Sequence, residues 1–484
     1  MSRVHDPPRA QRCNTSSYPN SLLDAAKIAH IIAHADVSLQ QKRAYSALVR
    51  AFASAKRRVR TVIVGGSVTH GTSCEDREHG LKETECAYAA RFGTYLRCHY
   101  AHKQIHVLNR ARGGVTSAAA LPLLPAMLRI YDDDAVQEAD ADWLLVDFSS
   151  NDAAFGYYYG ATNFSRSDSL ETSPVAAATE VMLRYLIAEH PSLPILVIES
   201  TCHSHATRHA HERAARQYGV PFLAYADALS NGTACSKAWH LAGHSHVHPT
   251  WETHAVLAEM LAQWWRAFSA SLLPTRESVA PPAKVDDGRL GPYLTSASTR
   301  APFGVCGSPV TVFDAHDTYA ARRDRVMDAY AAYAAAANGS RASRRAARDI
   351  VEPFGHGWEL YEDRPSKPGW ITSTEGATLE FNLTFGAAPR LLLLYEAGYE
   401  GWGEVHLHLG ERTSRRGAPF IPVSGLRTGG ERVTQAELLA IECGIDTEGS
   451  RNNHNIRPFA NATLKLVFAS KPPLRFKVMH VSSC

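Results

Sequence analysis

Apolar residues recur along this chain in two different rhythms, and the change between them divides it. From Val59 to about Ala270, short runs of consecutive apolar residues alternate with longer amphipathic stretches. The runs Thr61–Val64, Ile105–Leu108, Trp143–Phe148, Ile195–Glu199 and Phe222–Ala224 predict buried strands. Between and after them, Glu83–His99, Ser117–Ile130, Pro174–Glu189, Ala206–Tyr218 and Trp251–Phe268 predict helices. Regular alternation of this kind predicts a parallel sheet covered by helices on both faces. A polar arm and a helix-like stretch over Leu22–Phe52 precede it. Between Leu272 and Pro302, prolines and small polar residues replace the periodicity, as in a linker, and Ala315–Ile350 is rich in alanine and arginine, which predicts a helix. From about Glu352 the rhythm shortens. Ala377–Thr384, Arg390–Tyr395, Glu404–Leu409 and Ala462–Phe468, separated by glycine and proline turns, predict an antiparallel β-sandwich. The expected division is therefore 1–55, 56–270, 271–350 and 351–484, with no internal repeat.

Several of these elements end in residues that carry chemistry. The first strand breaks into Gly65, Gly66 and Ser67, and two glycines permit a sharp bend that leaves the serine hydroxyl at the strand's carboxyl edge. Asn109 to Gly114 follows the second strand, Asn151-Asp152 follows the third, and His248-Pro249 opens the last helix. Each of these alone is ordinary turn chemistry. Because Ser67, Gly114 and Asn151 each follow a strand, they are expected at one edge of one sheet, where doubly wound folds keep their ligand sites.

In their order and context these four segments resemble the SGNH, or GDSL-type, hydrolase superfamily. The resemblance implies a flavodoxin-like, three-layer α/β/α domain. It implies Ser67 as nucleophile, His248 as general base, and an oxyanion hole built from the Ser67 and Gly114 backbone N–H groups and the Asn151 side chain. The chemistry accounts for those residue types. A neutral serine is a poor nucleophile until an imidazole takes its proton. Charge then develops on the ester carbonyl oxygen, so donors must already point there, each worth about 3 kcal/mol. Two positions depart from the superfamily's pattern. The aspartate expected three residues before the histidine is Ser245, and the glycine expected two residues before the asparagine is Ser149. Loss of an orienting carboxylate costs about four orders of magnitude in turnover where a triad depends on it.

Histidines cluster around the base and again over Cys202, His203, His205, His209 and His211, which raises a metal site as a competing reading. His205 and His209 share a helical face, but no glutamate follows the first, so the metalloprotease spacing is absent. With 24 histidines in the chain, a solvated histidine-rich surface is the expectation, with no metal and no cofactor. Tyr157 and Tyr158, in a segment read as a loop after Asn151, are the candidate pocket lining. Trp358, Trp370, Tyr399 and Trp402 are the candidate sugar-stacking aromatics of the β-rich region, with core packing as their ordinary role.

The 484 residues, 45% hydrophobic and 20% charged, suffice for two cores, and a net charge of +3 gives no basis for nucleic acid as a partner. No apolar run is long enough to span a bilayer, and the first residues lack the apolar core of a signal peptide. Yet six of the twelve asparagines, Asn14, Asn163, Asn231, Asn338, Asn382 and Asn461, stand in glycosylation sequons. Chance predicts roughly two. Nine cysteines also suit an oxidising lumen, with Cys306 and Cys443 as candidate partners of Cys484. The expectation is a secretory-pathway serine esterase acting on acyl esters, carbohydrate-linked esters among them. The alternatives are an acyltransferase using the same serine and, because of Ser245, a catalytically impaired glycan-binding protein.

Overall fold

The computed structural model describes residues 22–54, 57–100, 104–128, 130–131, 138–139, 141–158, 170–201, 205–230, 239, 248–272, 290, 292–300, 303, 311–315, 318–319, 353–363, 367–411, 420–427, 434–443 and 456–484. Two compact units emerge, one within Ala10–Gly307 and one within Ser308–Cys484.

The first unit is built on five parallel strands: β1 Val59–Gly65, β2 Ile105–Asn109, β3 Trp143–Asp147, β4 Ile195–Glu199 and β5 Phe222–Ala224. Their order is β2-β1-β3-β4-β5, the flavodoxin-like arrangement expected above. Apolar side chains run almost continuously along β1, β3 and β4 because both faces are covered, whereas the edge strand β2 is only partly buried. Val59, Ile63, Leu145, Leu196 and Leu223 belong to one core beneath helices α1 Ala25–Ala33, α2 Leu39–Ala53, α4 Tyr88–His99 and α9 Trp251–Leu272. Their strand neighbours Val62, Val64, Leu144, Val146 and Val197 are equally buried and point to the opposite face by the pleat. The remaining helices of this unit used below are α3 Ser67–His70, α5 Ser117–Ala120, α6 Ser149–Tyr158, α7 Pro174–Glu189 and α8 His205–Gln217.

The helix-like stretch Leu22–Phe52 resolves into α1 and α2 because each has its own cap. Asp24 accepts from Ala26 and Lys27 N–H, and Ser38 accepts from Gln41 N–H. Both helices join the main core. Tyr45 is fully buried, donates to the Ile195 carbonyl at 2.8 Å and packs edge-on to Trp143. Gln41 closes off the start of β4, accepting from Ile195 N–H at 2.9 Å and donating to the Leu193 carbonyl at 3.2 Å. Over the predicted helix Ser117–Ile130, Leu121–Leu123 tightens to a 3₁₀ turn at Pro122, after which α-helix resumes only to Leu128.

The second unit is an antiparallel sandwich. Its strands are β6 Thr311–Asp314, β7 Phe354–His356, β8 Glu359–Glu362, β9 Pro368–Thr372, β10 Thr378–Thr384, β11 Arg390–Ala397, β12 Glu404–Glu411, β13 Ile421–Ser424, β14 Gln435–Glu442, β15 Asn461–Phe468 and β16 Phe476–Ser483. One sheet runs β8-β9-β16-β11-β14 with β6 also on β16, the other β7-β10-β15-β12-β13. Leu379, Phe381 and Leu383 of β10 and Leu464, Leu466 and Phe468 of β15 alternate into the core. The unit takes in β6, forty residues ahead of the boundary expected at 351, because β6 pairs with β16 near the end of the chain. Most of the alanine- and arginine-rich segment lies outside the described residues.

Trp370 and Trp402 are buried, in the packing role that is ordinary for such residues: Trp370 packs edge-on to Phe381, and Arg475 lies over Trp402 at 4.9 Å. Cys484 is disulfide-bonded whereas Cys443 is free and buried, so Cys443 is not its partner.

Candidate active site

Ser67 sits at the end of β1, as the first residue of the single turn α3, and is 6% exposed. In the register between β1 and β3, Gly65 pairs with Asp147, which brings the turn after β3 beside the serine. Asn151 is the result of that juxtaposition. Its Oδ1 accepts from Ser67 N–H at 2.8 Å and from Ser67 Oγ at 3.3 Å. Gly66 makes this approach possible, since a Cβ there would lie 1.9 Å from Asn151 Oδ1. The Ser67 N–H, expected to face an oxyanion, is engaged by Asn151 in the free protein. Stabilising a substrate oxyanion with it requires that this bond be exchanged.

Gly114 arrives from the loop after β2. Arg112 N–H donates to the Gly65 carbonyl at 3.0 Å, tying the loop to the end of β1. Val115 N–H then returns to the Arg112 carbonyl at 3.2 Å across a turn whose third residue, Gly114, has φ +79°. A positive φ at that place is what a type II turn requires, and glycine meets it without strain. Among the described residues the Gly114 N–H has no hydrogen-bond partner. Asn109, at the head of the same motif, is structural: its amide donates to the Thr69 carbonyl at 2.8 Å and accepts from Ala111 N–H.

A buried network holds these turns from below. Asp147 accepts from Tyr88 OH at 2.8 Å and from Thr69 Oγ1 at 3.0 Å with one oxygen, and from Ser149 Oγ at 2.7 Å with the other. Ser149, where a glycine was expected, thus uses its hydroxyl to cap the end of β3 and also meets Ser200 Oγ at 3.0 Å. Burial and the adjacent Asp147 carboxylate raise the Tyr88 phenol well above its ordinary value, so it remains a donor.

His248 is half-buried, just ahead of α9. Its supporting helix is fastened to the serine's side of the unit through His254 and Trp251. His254 is fully buried, stacks on Tyr88, and its Nδ1 accepts the Tyr88 N–H at 3.2 Å. Burial, then the charges of Arg91 and His248, depress its pKa to about 3. Arg91 lies 5.5 Å over the Trp251 ring and is itself fixed by Asp76 at 2.6 Å and the Cys86 carbonyl at 2.9 Å. Asp76 belongs to the loop closed by the Cys74–Cys86 disulfide. Burial alone would raise the Asp76 carboxyl, but hydrogen bonds from Arg91 and His79 hold it below its ordinary value.

Ser245 and most of the histidine-rich segment before His248 lie outside the described residues, as do Cys202 and His203. Residues read as a loop at Tyr157 and Tyr158 are instead the last turn of α6, and their side chains are outside the described set. The expectation of a solvated histidine surface holds for His209 but fails for His254 and His211. His211, on α8, is 3% exposed and lies between two carboxylates, Asp152 Oδ2 at 2.9 Å and Glu199 Oε2 at 2.7 Å. Sequence reasoning missed this cluster, and the one available signal was Asp152 beside Asn151.

Residues 63–256 match the GDSL-like Lipase/Acylhydrolase family, a span that contains every candidate site residue. The chain therefore carries a GDSL-like lipase/acylhydrolase domain, a family of ester-cleaving hydrolases, followed by a β-sandwich unit. Among solved structures, a two-domain esterase active on acetylated mannans superposes with TM-score 0.51 at 12% identity, covering 90% of this chain and 94% of that one. The same esterase co-crystallized with mannopentaose matches equally, with 93% of that chain covered. A putative GDSL-like lipase from Bacteroides uniformis covers 43% of this chain and 94% of its own at 16% identity, with TM-score 0.27. No curated protein matches the chain.

Proposed function

We propose that the α/β unit is a serine esterase that removes small acyl groups from glycans. Ser67 Oγ attacks the ester carbonyl carbon while His248 takes its proton, and the alcohol leaves with that proton as the acyl group becomes bonded to Ser67. Water then attacks the acyl-enzyme with His248 again as base, releasing the acid. The Gly114 N–H and the Asn151 amide, joined by the Ser67 N–H once Asn151 yields it, receive the negative charge on the carbonyl oxygen. The observation that carries this reading is the meeting of Ser67, Asn151 and the type II turn of Gly114 at one sheet edge, inside a domain of an acylhydrolase family. A glycan substrate is supported by the two-unit organisation shared with a mannan-active esterase, and a secreted setting by the sequons and the Cys74–Cys86 disulfide.

Hydrolysis of p-nitrophenyl acetate and of an acetylated mannan by wild type, Ser67→Ala and His248→Ala tests it. The expected result is turnover in the wild type and its loss, by about six orders of magnitude, in both variants. Equal turnover in all three would refute the serine mechanism, and activity on the aryl ester alone would refute the glycan substrate.

A further inference from the structure

We infer that Asp152, His211 and Glu199 form a buried positioning device for the oxyanion hole, a role that rests on the esterase reading above and assigns residues to it. Asp152 follows Asn151 directly and is 1% exposed. One of its oxygens accepts from Ser117 N–H at 2.8 Å, three residues beyond Gly114, and the other faces His211 Nε2 at 2.9 Å. This one carboxylate therefore ties together the two turns that carry the proposed donors. His211 Nδ1 in turn meets Glu199 Oε2 at 2.7 Å at the carboxyl end of β4, and Thr201 Oγ1 holds the second Glu199 oxygen at 2.7 Å. Four strand-ending or helical segments are thus joined through one imidazole.

Both ring nitrogens of His211 face carboxylate oxygens, so both carry protons and the ring is a cation. Burial disfavours that charge, but hydrogen bonds and charge from Asp152 and Glu199 overcome it and raise the pKa to about 10. Glu199 is itself pushed up, by burial first, with the Asp147 carboxylate adding to it. Two carboxylates around one cation, with Asp147 near, make an arrangement that well-packed apolar residues would match or better for stability alone. Geometry supplies the reason for it. An oxyanion hole works only if its donors are held to within about 0.5 Å, and here the Gly114 loop and the Asn151 turn come from different crossovers, with no backbone bond between them among the described residues. Asp152 is the bridge, and His211 keeps it aimed.

The test compares wild type with Asp152→Asn, His211→Gln and Ser117→Pro in the full chain. Ser117→Pro is the most direct probe of the bridge. Ser117 is the first residue of α5, where proline is favoured, and Thr116 before it is extended at φ −89°, ψ 171°, as a residue preceding proline must be. It deletes the N–H that Asp152 accepts and sets the ring carbon in its place, while the backbone of α5 tolerates proline at its first position. Steady-state kinetics on p-nitrophenyl acetate and the affinity for phenylboronic acid, which forms a tetrahedral adduct on the nucleophile, are measured beside thermal unfolding. We expect kcat to fall about tenfold or more, less than the loss of a donor itself, with KM within about twofold and boronate affinity falling in step with kcat. Ser117→Pro does this with a lowered melting temperature, because the buried Asp152 oxygen loses its donor and must move away from the proline ring. Folded variants with unchanged kcat and unchanged boronate affinity overturn the inference while leaving the esterase reading standing. A wild type that neither hydrolyses the ester nor binds the boronate better than Ser67→Ala overturns the esterase reading, and this inference with it.

Discussion

His254 makes a quantitative prediction about acid stability. Its Nδ1 accepts the Tyr88 N–H, so the neutral ring is required, and protonation would break that bond and place a buried cation near the charge of Arg91. An unfolded histidine titrates at 6.5, whereas this one is held near 3 in the folded protein. The contribution is therefore complete above pH 6.5 and is lost as the pH falls toward 3, because the unfolded chain binds a proton that the folded chain refuses. Each pH unit of that one-proton mismatch is worth about 1.4 kcal/mol, and integrating from pH 7 to pH 5 gives a loss of about 2 kcal/mol. The figure hardly depends on how far below 5 the folded value lies. His254→Asn supplies Oδ1 where Nδ1 was, keeps an acceptor for Tyr88, and does not titrate. Urea unfolding of both proteins at pH 7 and pH 5 should show the wild type losing about 2 kcal/mol more than the variant. His211, raised to about 10, contributes stability that is lost as pH rises from 6.5 toward 10, and it acts equally in both proteins. Equal acid sensitivity in wild type and His254→Asn would refute the assignment of a neutral, buried ring.

Two further outcomes follow from the same structure. Gly66→Ala drives a Cβ to 1.9 Å from Asn151 Oδ1, so we expect esterase activity to fall at least about a hundredfold with a stability cost of about 1–3 kcal/mol; near-normal turnover would show that Asn151 can move without cost. The double variant Cys74→Ser/Cys86→Ser opens a 12-residue loop, and urea unfolding should report a loss of about 3 kcal/mol. Because that loop holds Asp76 against Arg91, and Arg91 lies over Trp251 on the helix behind His248, kcat should fall as well. A stability loss with undiminished kcat would separate the disulfide from the base.

Much of this protein is legible in one dimension. Strands buried on both faces are apolar at nearly every position, so β1, β3 and β4 stand out as near-continuous runs, and the sandwich strands β10 and β15 show the period-two alternation of half-buried sheet. Strand ends are visible too, because the chain must bend there and only certain residues allow it. Gly66 and Gly114 mark Ser67 and the second turn for steric reasons that any sequence displays. What stayed hidden was set by the order of strands in the sheet. Asp152, Glu199 and His211 are scattered along the chain, and only the adjacency of β3 and β4 and the packing of α8 bring them within hydrogen-bond distance. His254 and His211 look no different in sequence from exposed His209, since a histidine's burial depends on which face of its helix meets the sheet. Trp370 and Trp402 stand near turns, where sequence allows either a sugar-facing or a packed role, and it is the closure of the sandwich that covers them. Local sterics and hydrophobic periodicity are properties of neighbouring residues and are written in the chain. The partner of a buried charge is a property of topology, and it exists only once distant strands have taken their places.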